Sequence, residues 1–202
     1  KGLYVSTQKF AGKVGDIHTL YIAYDGKEYS AQDSMISVHD FDFEGDIIPK
    51  VHMSTSEYFR FGGAFFAQEE SFFITWKWYQ IYGFDETGTW IPYKQVTANS
   101  YFFTDIVSPD ISSESAYYLT AFEFDSPKDS VIIATKHSMS DPYKTYLIQT
   151  MYESVWNTSF FSATPANVTT NVNNGGLGFF AACAVTSKSI VYKDLMALAK
   201  RK

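Results

Sequence analysis

Four histidines are the residues with the most versatile chemistry in this chain, because a neutral imidazole can bind a metal and can exchange protons near neutral pH. They are His18, His39, His52 and His137. None has the short paired spacing of a zinc site such as H-x-x-x-H, and each lies beside residues typical of turns or strands. We therefore expect no histidine metal centre and no cofactor.

No nucleophile is set up for covalent catalysis. Serines are numerous, but the chain has no G-x-S-x-G elbow. The cluster Gly175-Gly176-x-Gly178 lacks the lysine of a phosphate loop and precedes a strand-like run, whereas phosphate binding uses a helix N-terminus. Cys183 is the only cysteine, so no intrachain disulfide forms, and its apolar neighbours predict a small buried side chain. The sequence thus predicts a protein that is not an enzyme.

An acidic stretch resembles the first half of a calcium loop. Oxygen donors recur at every second position, namely Asp40, Asp42, Glu44 and Asp46. Gly45 occupies the sixth position, where an EF-hand places its glycine. The twelfth position is Val51, where such a loop needs a bidentate acid. The stretch is therefore a weak calcium candidate, and a strand with one acidic, solvated face explains the same residues.

A dense group of aromatic residues supplies the candidate contact surface. The chain contains 18 Phe and 15 Tyr, and one sheet face has too little room to bury all the rings between Phe65 and Trp90. Some rings are expected to stay exposed and to bind a partner protein, since aromatic residues are enriched at interfaces. The predicted contact residues are Trp76, Trp78, Tyr79, Tyr82 and Trp90. Burial on both sides, between a sheet and a covering loop, is the alternative.

The elements that position these residues are mainly strands. Short runs of aromatic and β-branched residues alternate with turn signals, which predicts an antiparallel β-sandwich or open barrel. Asp25-Gly26 is the strongest hairpin signal. Strands are expected over 18–24, 27–31, 58–67, 71–82, 101–107, 116–124, 131–135, 177–185 and 188–192. A long connection is expected over 84–99.

One amphipathic helix interrupts the strands, over about 142–156. Ser138-Met-Ser-Asp141 has the form of a capping box, and Pro142 suits a first turn. Tyr143, Leu147, Met151 and Val155 recur at helical spacing and share one face of the predicted helix. In the loop that follows, Gly178 and Ala181 are expected to sit where no larger side chain fits.

Charge and hydropathy exclude several partners. The formal net charge is −6, which disfavours nucleic acid and anionic membrane surfaces because both require a basic face. No apolar run approaches the roughly 18 residues that a membrane-spanning helix needs. We therefore expect no nucleic-acid partner and no membrane-spanning helix.

Residues 129–192 carry a family resemblance. The ordered residues are Glu153-Ser-Val-Trp156, Pro165-Ala-Asn167, Asn173-Asn174-Gly175-Gly176-Leu177-Gly178-Phe179-Phe180 and Ala184-Val185-Thr-Ser187-Lys188. This stretch resembles the Bacteroidota envelope lipoprotein family catalogued as domain of unknown function 4249. Residues 15–31 are similar to the closing strands of that family's immunoglobulin-like first domain. The expected domains are therefore an incomplete immunoglobulin-like unit over 1–33, a main β-rich domain over 34–192 and a charged, frayed tail over 193–202.

The resemblance implies a lipid-anchored protein of the outer membrane, at the cell surface rather than the periplasmic face. The lipidated cysteine is expected to precede these residues, so membrane contact is expected only through that anchor. The implied function is that of a non-enzymatic accessory subunit of a TonB-dependent receptor or another barrel protein. A carbohydrate- or peptide-binding module with an aromatic platform is the alternative, and an envelope hydrolase is a third.

Two serines resemble acceptors for the O-glycosylation of Bacteroidota envelope proteins. Ser34 and Ser130 lie in the Asp-Ser-apolar tripeptides Asp33-Ser34-Met35 and Asp129-Ser130-Val131. We predict that at least one of them carries a glycan in the native protein. Mass spectrometry of the two peptides measures this, and two unmodified peptides would contradict it.

Overall fold

The structure is a computed structural model that describes residues 6–8, 11–43, 47–50, 58–61, 70–80, 83–84, 87–91, 94–103, 122–123, 129–154 and 168–199. Every ladder between its described strands is antiparallel, so the predicted mainly β fold is confirmed. The chain divides into two compact units, one of residues 1–37 and 139–184 and one of residues 38–138 and 185–202. These units interleave along the chain, whereas the sequence predicted consecutive domains.

The first unit contains a hairpin of β1 (Ile17–Tyr24) and β2 (Lys27–Ser34), which pair residue for residue. The turn between them has a positive φ at both Asp25 (50°) and Gly26 (70°). Positive φ at both central residues is the backbone of a type I′ turn, whose twist matches that of the flanking strands. The predicted Asp-Gly hairpin is therefore confirmed.

The helix of the first unit, α1 (Asp141–Ser154), agrees with the predicted range to within two residues at each end. Its N-cap is Ser140, whose hydroxyl accepts a hydrogen bond from the backbone N–H of Tyr143 at 3.3 Å. The predicted cap at Ser138 is wrong, because Ser138 is the last residue of the strand before the helix. Of the predicted face, Tyr143, Leu147 and Met151 are half-buried, and Val155 lies outside the described residues.

A buried carboxylate joins three parts of the first unit. Asp33 in β2 is 6% exposed, and its Oδ1 accepts a hydrogen bond from Ser140 Oγ at 2.6 Å. Its Oδ2 accepts one from the backbone N–H of Ala182 at 2.9 Å. Because each oxygen has a donor, the buried group is satisfied by hydrogen bonds. Asp33 therefore fixes the hairpin, the start of α1 and the loop before residue 185 in one arrangement.

Residues 177–184 form an irregular segment, and the strand predicted over 177–185 is wrong for them. Gly178 has a φ of 105°, which lies outside the region that strand residues adopt. A Cβ on Gly178 would meet no atom within 4 Å, so its backbone conformation rather than close packing requires glycine. The tight position is Gly176, where an added Cβ would lie 2.4 Å from Val172 Cγ1.

The second unit is organised around a four-stranded sheet in the order β11-β10-β5-β8. Its strands are β5 (Phe72–Gln80), β8 (Lys94–Phe102), β10 (Val131–Ser138) and β11 (Val185–Val191). Burial alternates along β5 and β10, so that even-numbered residues form the core face. The core residues of these two strands are Phe72, Ile74, Trp76, Trp78, Ile132 and Ala134.

Shorter strands complete the described part of the second unit. β3 (Ile47–Lys50), β4 (Tyr58–Phe61) and β9 (Phe122–Glu123) form a three-stranded sheet, and β6 (Gly83–Phe84) pairs with β7 (Trp90–Ile91). The connection predicted over 84–99 is wrong from residue 94 onward, because β8 pairs with β5 along its whole length. The residues on the solvent side of β8 are polar. Because polar runs are also typical of loops, the sequence of this strand resembles that of a connection.

A second helix, α2 (Tyr192–Ala199), follows β11 directly. The frayed tail predicted over 193–202 is therefore wrong for residues 193–199. Leu195 is 2% exposed and belongs to the core, and Leu198, one turn later, packs against that core. Of the helices in the described part of the chain, neither is long and apolar enough to cross a membrane.

We predict that Gly176→Ala destabilises the fold by about 1–3 kcal/mol, because the new methyl group would overlap Val172. Val172→Ala should relieve this overlap, so the double variant should be more stable than the two single effects added together. Urea denaturation measures both. An unchanged midpoint for Gly176→Ala would contradict the prediction.

Candidate functional site

The structure describes only half of the calcium candidate, so calcium binding there stays a prediction. Asp40 and Asp42 are described, whereas Glu44 and Asp46 lie outside the described residues. No group of three or more His, Cys, Asp or Glu side chains among the described residues is placed to hold a metal ion. His52 also lies outside the described residues.

Asp40 instead anchors an irregular segment, residues 38–43, to β11. Its Oδ1 accepts a hydrogen bond from Thr186 Oγ1 at 2.7 Å, and its Oδ2 pairs with Lys188 Nζ at 2.8 Å. The hydrogen bond from Lys188 and then that from Thr186 lower the pKa of Asp40 to about 2. Phe41 and Phe43 in the same segment are buried in the core. Both carboxylate oxygens of Asp40 are thus engaged within the protein.

A buried lysine holds the same segment from the core face of β10. Lys136 is 2% exposed, and its Nζ donates to Glu70 Oε1 and, at 3.1 Å, to the carbonyl oxygen of His39. Glu70 Oε2 accepts from the backbone N–H of His39 at 3.2 Å and bonds to His39 Nδ1 at 2.9 Å. Burial raises the pKa of Glu70, but the hydrogen bonds from Lys136 and His39 outweigh it, so the pKa lies below its ordinary value. The paired charges indicate a structural anchor.

Two of the five residues predicted to form the aromatic contact surface are buried. Trp76 is 0% exposed and Trp78 is 5% exposed, because both point to the core face of β5. Neither offers a surface to a partner. Tyr79 lies on the opposite face and is 47% exposed, whereas Tyr82 lies outside the described residues and Trp90 is described only as part of β7. Binding through Tyr79, Tyr82 or Trp90 stays a prediction.

The two glycosylation candidates differ in accessibility. Ser34 is exposed at the end of β2. Ser130 is half-buried, and its carbonyl oxygen accepts a hydrogen bond from the backbone N–H of Tyr192 at 2.9 Å. Accessibility therefore favours Ser34 as the acceptor, and modification of either serine stays a prediction.

One edge of the hairpin in the first unit is filled by the asparagine-rich loop. The backbone N–H of Asn173 donates to the Ser30 carbonyl at 2.9 Å, and the Ser30 N–H donates to Asn173 Oδ1 at 2.6 Å. The amide groups of Asn171 and Asn174 donate to two further carbonyls of β2, each at 2.8 Å. Side-chain amides thus take the place of a third strand along β2.

The other edge of the hairpin is open. Even-numbered residues of β2 bond to the loop, so its odd-numbered residues bond to β1. In an antiparallel ladder, the backbone groups of Thr19, Tyr21 and Ala23 then point away from β2. Their outward N–H and C=O groups have no hydrogen-bond partner in the part of the chain that the structure describes. We call these three residues and the side chains beside them the β1 edge.

Apolar side chains surround the β1 edge on both faces of the strand. Tyr21 (78% exposed) and Ile17 (67%) lie on one face, and Tyr24 (71%), Ile22 (43%) and Leu20 (37%) lie on the other. β1 contains no charged residue and no proline, and it pairs without a bulge. Proteins usually protect an edge strand by one of these devices. An unprotected apolar edge of this kind indicates a contact site.

Sequence reasoning treated β1 only as a strand of an immunoglobulin-like unit and missed it as a site. The signal is present in the sequence, since β1 has apolar residues at both odd and even positions. A strand with one solvated face alternates strictly between apolar and polar residues. Two apolar faces on a strand without charge therefore predict contacts on both.

No family model, no curated protein and no solved structure matches this chain. The resemblance to envelope lipoproteins and all that it implies therefore stay predictions. The function is inferred from the geometry of the described residues.

We predict that the stabilising effect of Asp40 is lost in acid. Its pKa is about 2 in the folded protein against an ordinary 3.8, so the effect is complete above the ordinary value and disappears as the pH falls through the folded value. In urea denaturation, Asp40→Asn should be less stable than the parent near neutral pH, and the difference should shrink between about pH 4 and about pH 2. A deficit for Asp40→Asn that is independent of pH would refute the assignment.

Proposed function

We propose that this protein is a non-enzymatic binding subunit that docks another polypeptide through the β1 edge, as an accessory subunit of a TonB-dependent transporter or a related outer-membrane assembly. The proposed docking rests on an edge strand, β1, that has no charged residue and has exposed apolar side chains on both faces. Its outward backbone groups have no hydrogen-bond partner among the described residues. The envelope setting rests on the family resemblance alone.

Strand addition is the recognition mode that fits this edge. An extended segment of a partner can bond to the N–H and C=O groups of Thr19, Tyr21 and Ala23, while side chains on both faces give specificity. A two-stranded hairpin is marginally stable in water, whereas three or more strands with an apolar face are not. The added strand therefore stabilises the hairpin as it binds.

The partner segment is defined by the chemistry of the edge. It should be extended and should carry apolar residues on both faces, because β1 presents Tyr21 on one face and Ile22 on the other. β1 has no charged side chain that would pair with a charge on the partner. A lipid-anchored protein already has a high local concentration near its partner, so a short added strand suffices for a stable complex.

The chemistry of the described titratable groups supports binding over catalysis. Burial, and then the charge of Asp33, raise the pKa of the Cys183 thiol to about 11. The thiolate is the nucleophilic form, so this cysteine is unreactive near neutral pH. The buried charged residues Asp33 and Lys136 are both engaged by hydrogen bonds within their own units.

The test removes one backbone donor from the β1 edge without touching the hairpin. Tyr21→Pro deletes an N–H that points away from β2, which is the position where an edge strand tolerates proline. We expect recovery of a stoichiometric partner from native outer membrane to fall by about tenfold or more, since a bond is lost and the ring obstructs the added strand. Quantitative pull-down measures this.

Tyr21→Thr is the matched control for that experiment. It removes the same ring but keeps the N–H and a high strand propensity, so it should retain more partner than Tyr21→Pro. Leu20→Pro deletes an N–H that bonds to β2 and should unfold the hairpin, as circular dichroism would report. Equal partner recovery by the parent and by a folded Tyr21→Pro variant would refute docking at this edge.

A further inference from the structure

The face of the four-stranded sheet opposite its core is accessible and carries both polar and apolar side chains, and we call it the open face. It is formed by the odd-numbered residues of β5, β8, β10 and β11, which are exposed or half-buried wherever their side chains are described. Cross-strand neighbours form three complete rows on this face, and all of these residues belong to the second unit.

The first row contains Val185 and three stacked rings. In the order of the strands its members are Val185, His137, Phe73 and Tyr101. The ring centroids of His137 and Phe73 lie 4.2 Å apart at an angle of 7°, and those of Phe73 and Tyr101 lie 5.8 Å apart at 28°. Rings that stack on one another present their edges to a ligand above the sheet, and ring edges carry partial positive charge.

The second row consists of hydroxyl and amide groups, namely Ser187, Thr135, Thr75 and Asn99. Thr75 donates its hydroxyl proton to Asn99 Oδ1 at 2.9 Å, so Thr75 Oγ1 accepts from His137 Nε2 at 3.2 Å. Burial lowers the pKa of His137, and the charge of Lys77 lowers it further, so the ring is neutral near pH 7. The carbonyl oxygen of Asn99 is occupied, and its NH₂ group is left as an outward donor.

The third row contains Lys77, whose exposed ammonium group is the one formal charge in the three rows. The chain has 22 acidic residues and a net charge of −6, yet no Asp or Glu occupies any position in these rows. No acidic side chain in the described part of the chain forms an ion pair with Lys77. Lys77, Asn99 and Tyr101 thus place three donors on two neighbouring strands.

We infer that the open face binds an acidic polysaccharide, with a sugar carboxylate at Lys77 and the amide of Asn99 and with sugar hydroxyls along the second row. Thr135 Oγ1 and Ser187 Oγ lie 2.9 Å apart and share one hydrogen bond, so one of the two hydroxyls keeps its proton for a ligand. Sugar hydroxyls both donate and accept hydrogen bonds, which matches that remaining donor, the free lone pairs of the pair and the amide of Asn99. The carbon faces of the sugar rings pack against Ile133, an exposed apolar side chain of the third row.

Charge complementarity distinguishes this occupant from others. A neutral glycan leaves Lys77 without a counter-charge, and a hydrogen bond to a charged group is about twice as strong as a neutral one. An extended peptide is better recognised at a strand edge, where its main chain forms hydrogen bonds, than on a face that offers only side chains. The site is separate from the β1 edge in residues and in chemistry.

The test is calorimetric titration with tetragalacturonic acid and with its methyl ester, which has the same rings without the charge. The acid should bind at least about tenfold more tightly than the ester, and added salt should weaken it. Lys77→Gln should bind the acid about tenfold more weakly. Lys27→Gln makes the same change in net charge on β2 and should bind like the parent.

Three results would overturn the inference. The first is equal affinity for the acid and the ester, which would remove the carboxylate from recognition. The second is unchanged binding by a folded Lys77→Gln variant, or no binding of the acid by the parent at millimolar concentration. The third is a hexaglutamate peptide that binds as tightly as the sugar acid, which would leave no preference for a polysaccharide.

Discussion

The alternation of side chains along β5 and β10 is the constraint on which the second unit depends. It directs Trp76 and Ile132 into the core and leaves Phe73 and His137 on the open face. A shift of the register by one residue would exchange the two sets, exposing a large apolar surface and burying hydroxyl groups. The core and the proposed ligand face are therefore two results of one pairing.

In each unit, a buried polar side chain on a strand forms hydrogen bonds with an irregular segment of the chain. In the second unit, Lys136 on β10 holds residues 38–43 through Glu70 and the carbonyl of His39. In the first unit, Asp33 on β2 holds Ser140 and the backbone at Ala182. An unpaired buried charge costs several kcal/mol. The hydrogen-bond partners of Lys136 and Asp33 lie on irregular segments. These hydrogen bonds therefore stabilise one position of each segment relative to other positions.

The two edges of the hairpin in the first unit differ in how their backbone groups are satisfied. Asn171 and Asn173 fill the edge of β2 with side-chain and backbone hydrogen bonds. The outward backbone groups of β1 have no hydrogen-bond partner among the described residues, and exposed apolar side chains flank them. A protein that only needed a stable hairpin would gain from protecting both edges. The difference between the two edges is therefore not required for the stability of the hairpin, and it is the feature on which the proposed docking rests.

The sequence by itself determined the elements whose signals are local. Asp25-Gly26 specifies its turn because these residues tolerate positive φ, and the helix over 141–154 follows from a cap and a period that depend on near neighbours. The tertiary structure alone decided the rest. β5 has aromatic residues at odd and even positions, so only its pairing with β10 and β8 determines that Trp78 is buried and Tyr79 is exposed. The apolar run at 177–184 became a loop because Asp33, far away in sequence, bonds its backbone, and residues 193–199 became a helix because the core accepts Leu195. Contacts between residues that are distant in sequence leave no local sequence pattern. For this reason the predicted and the observed elements differ at these places.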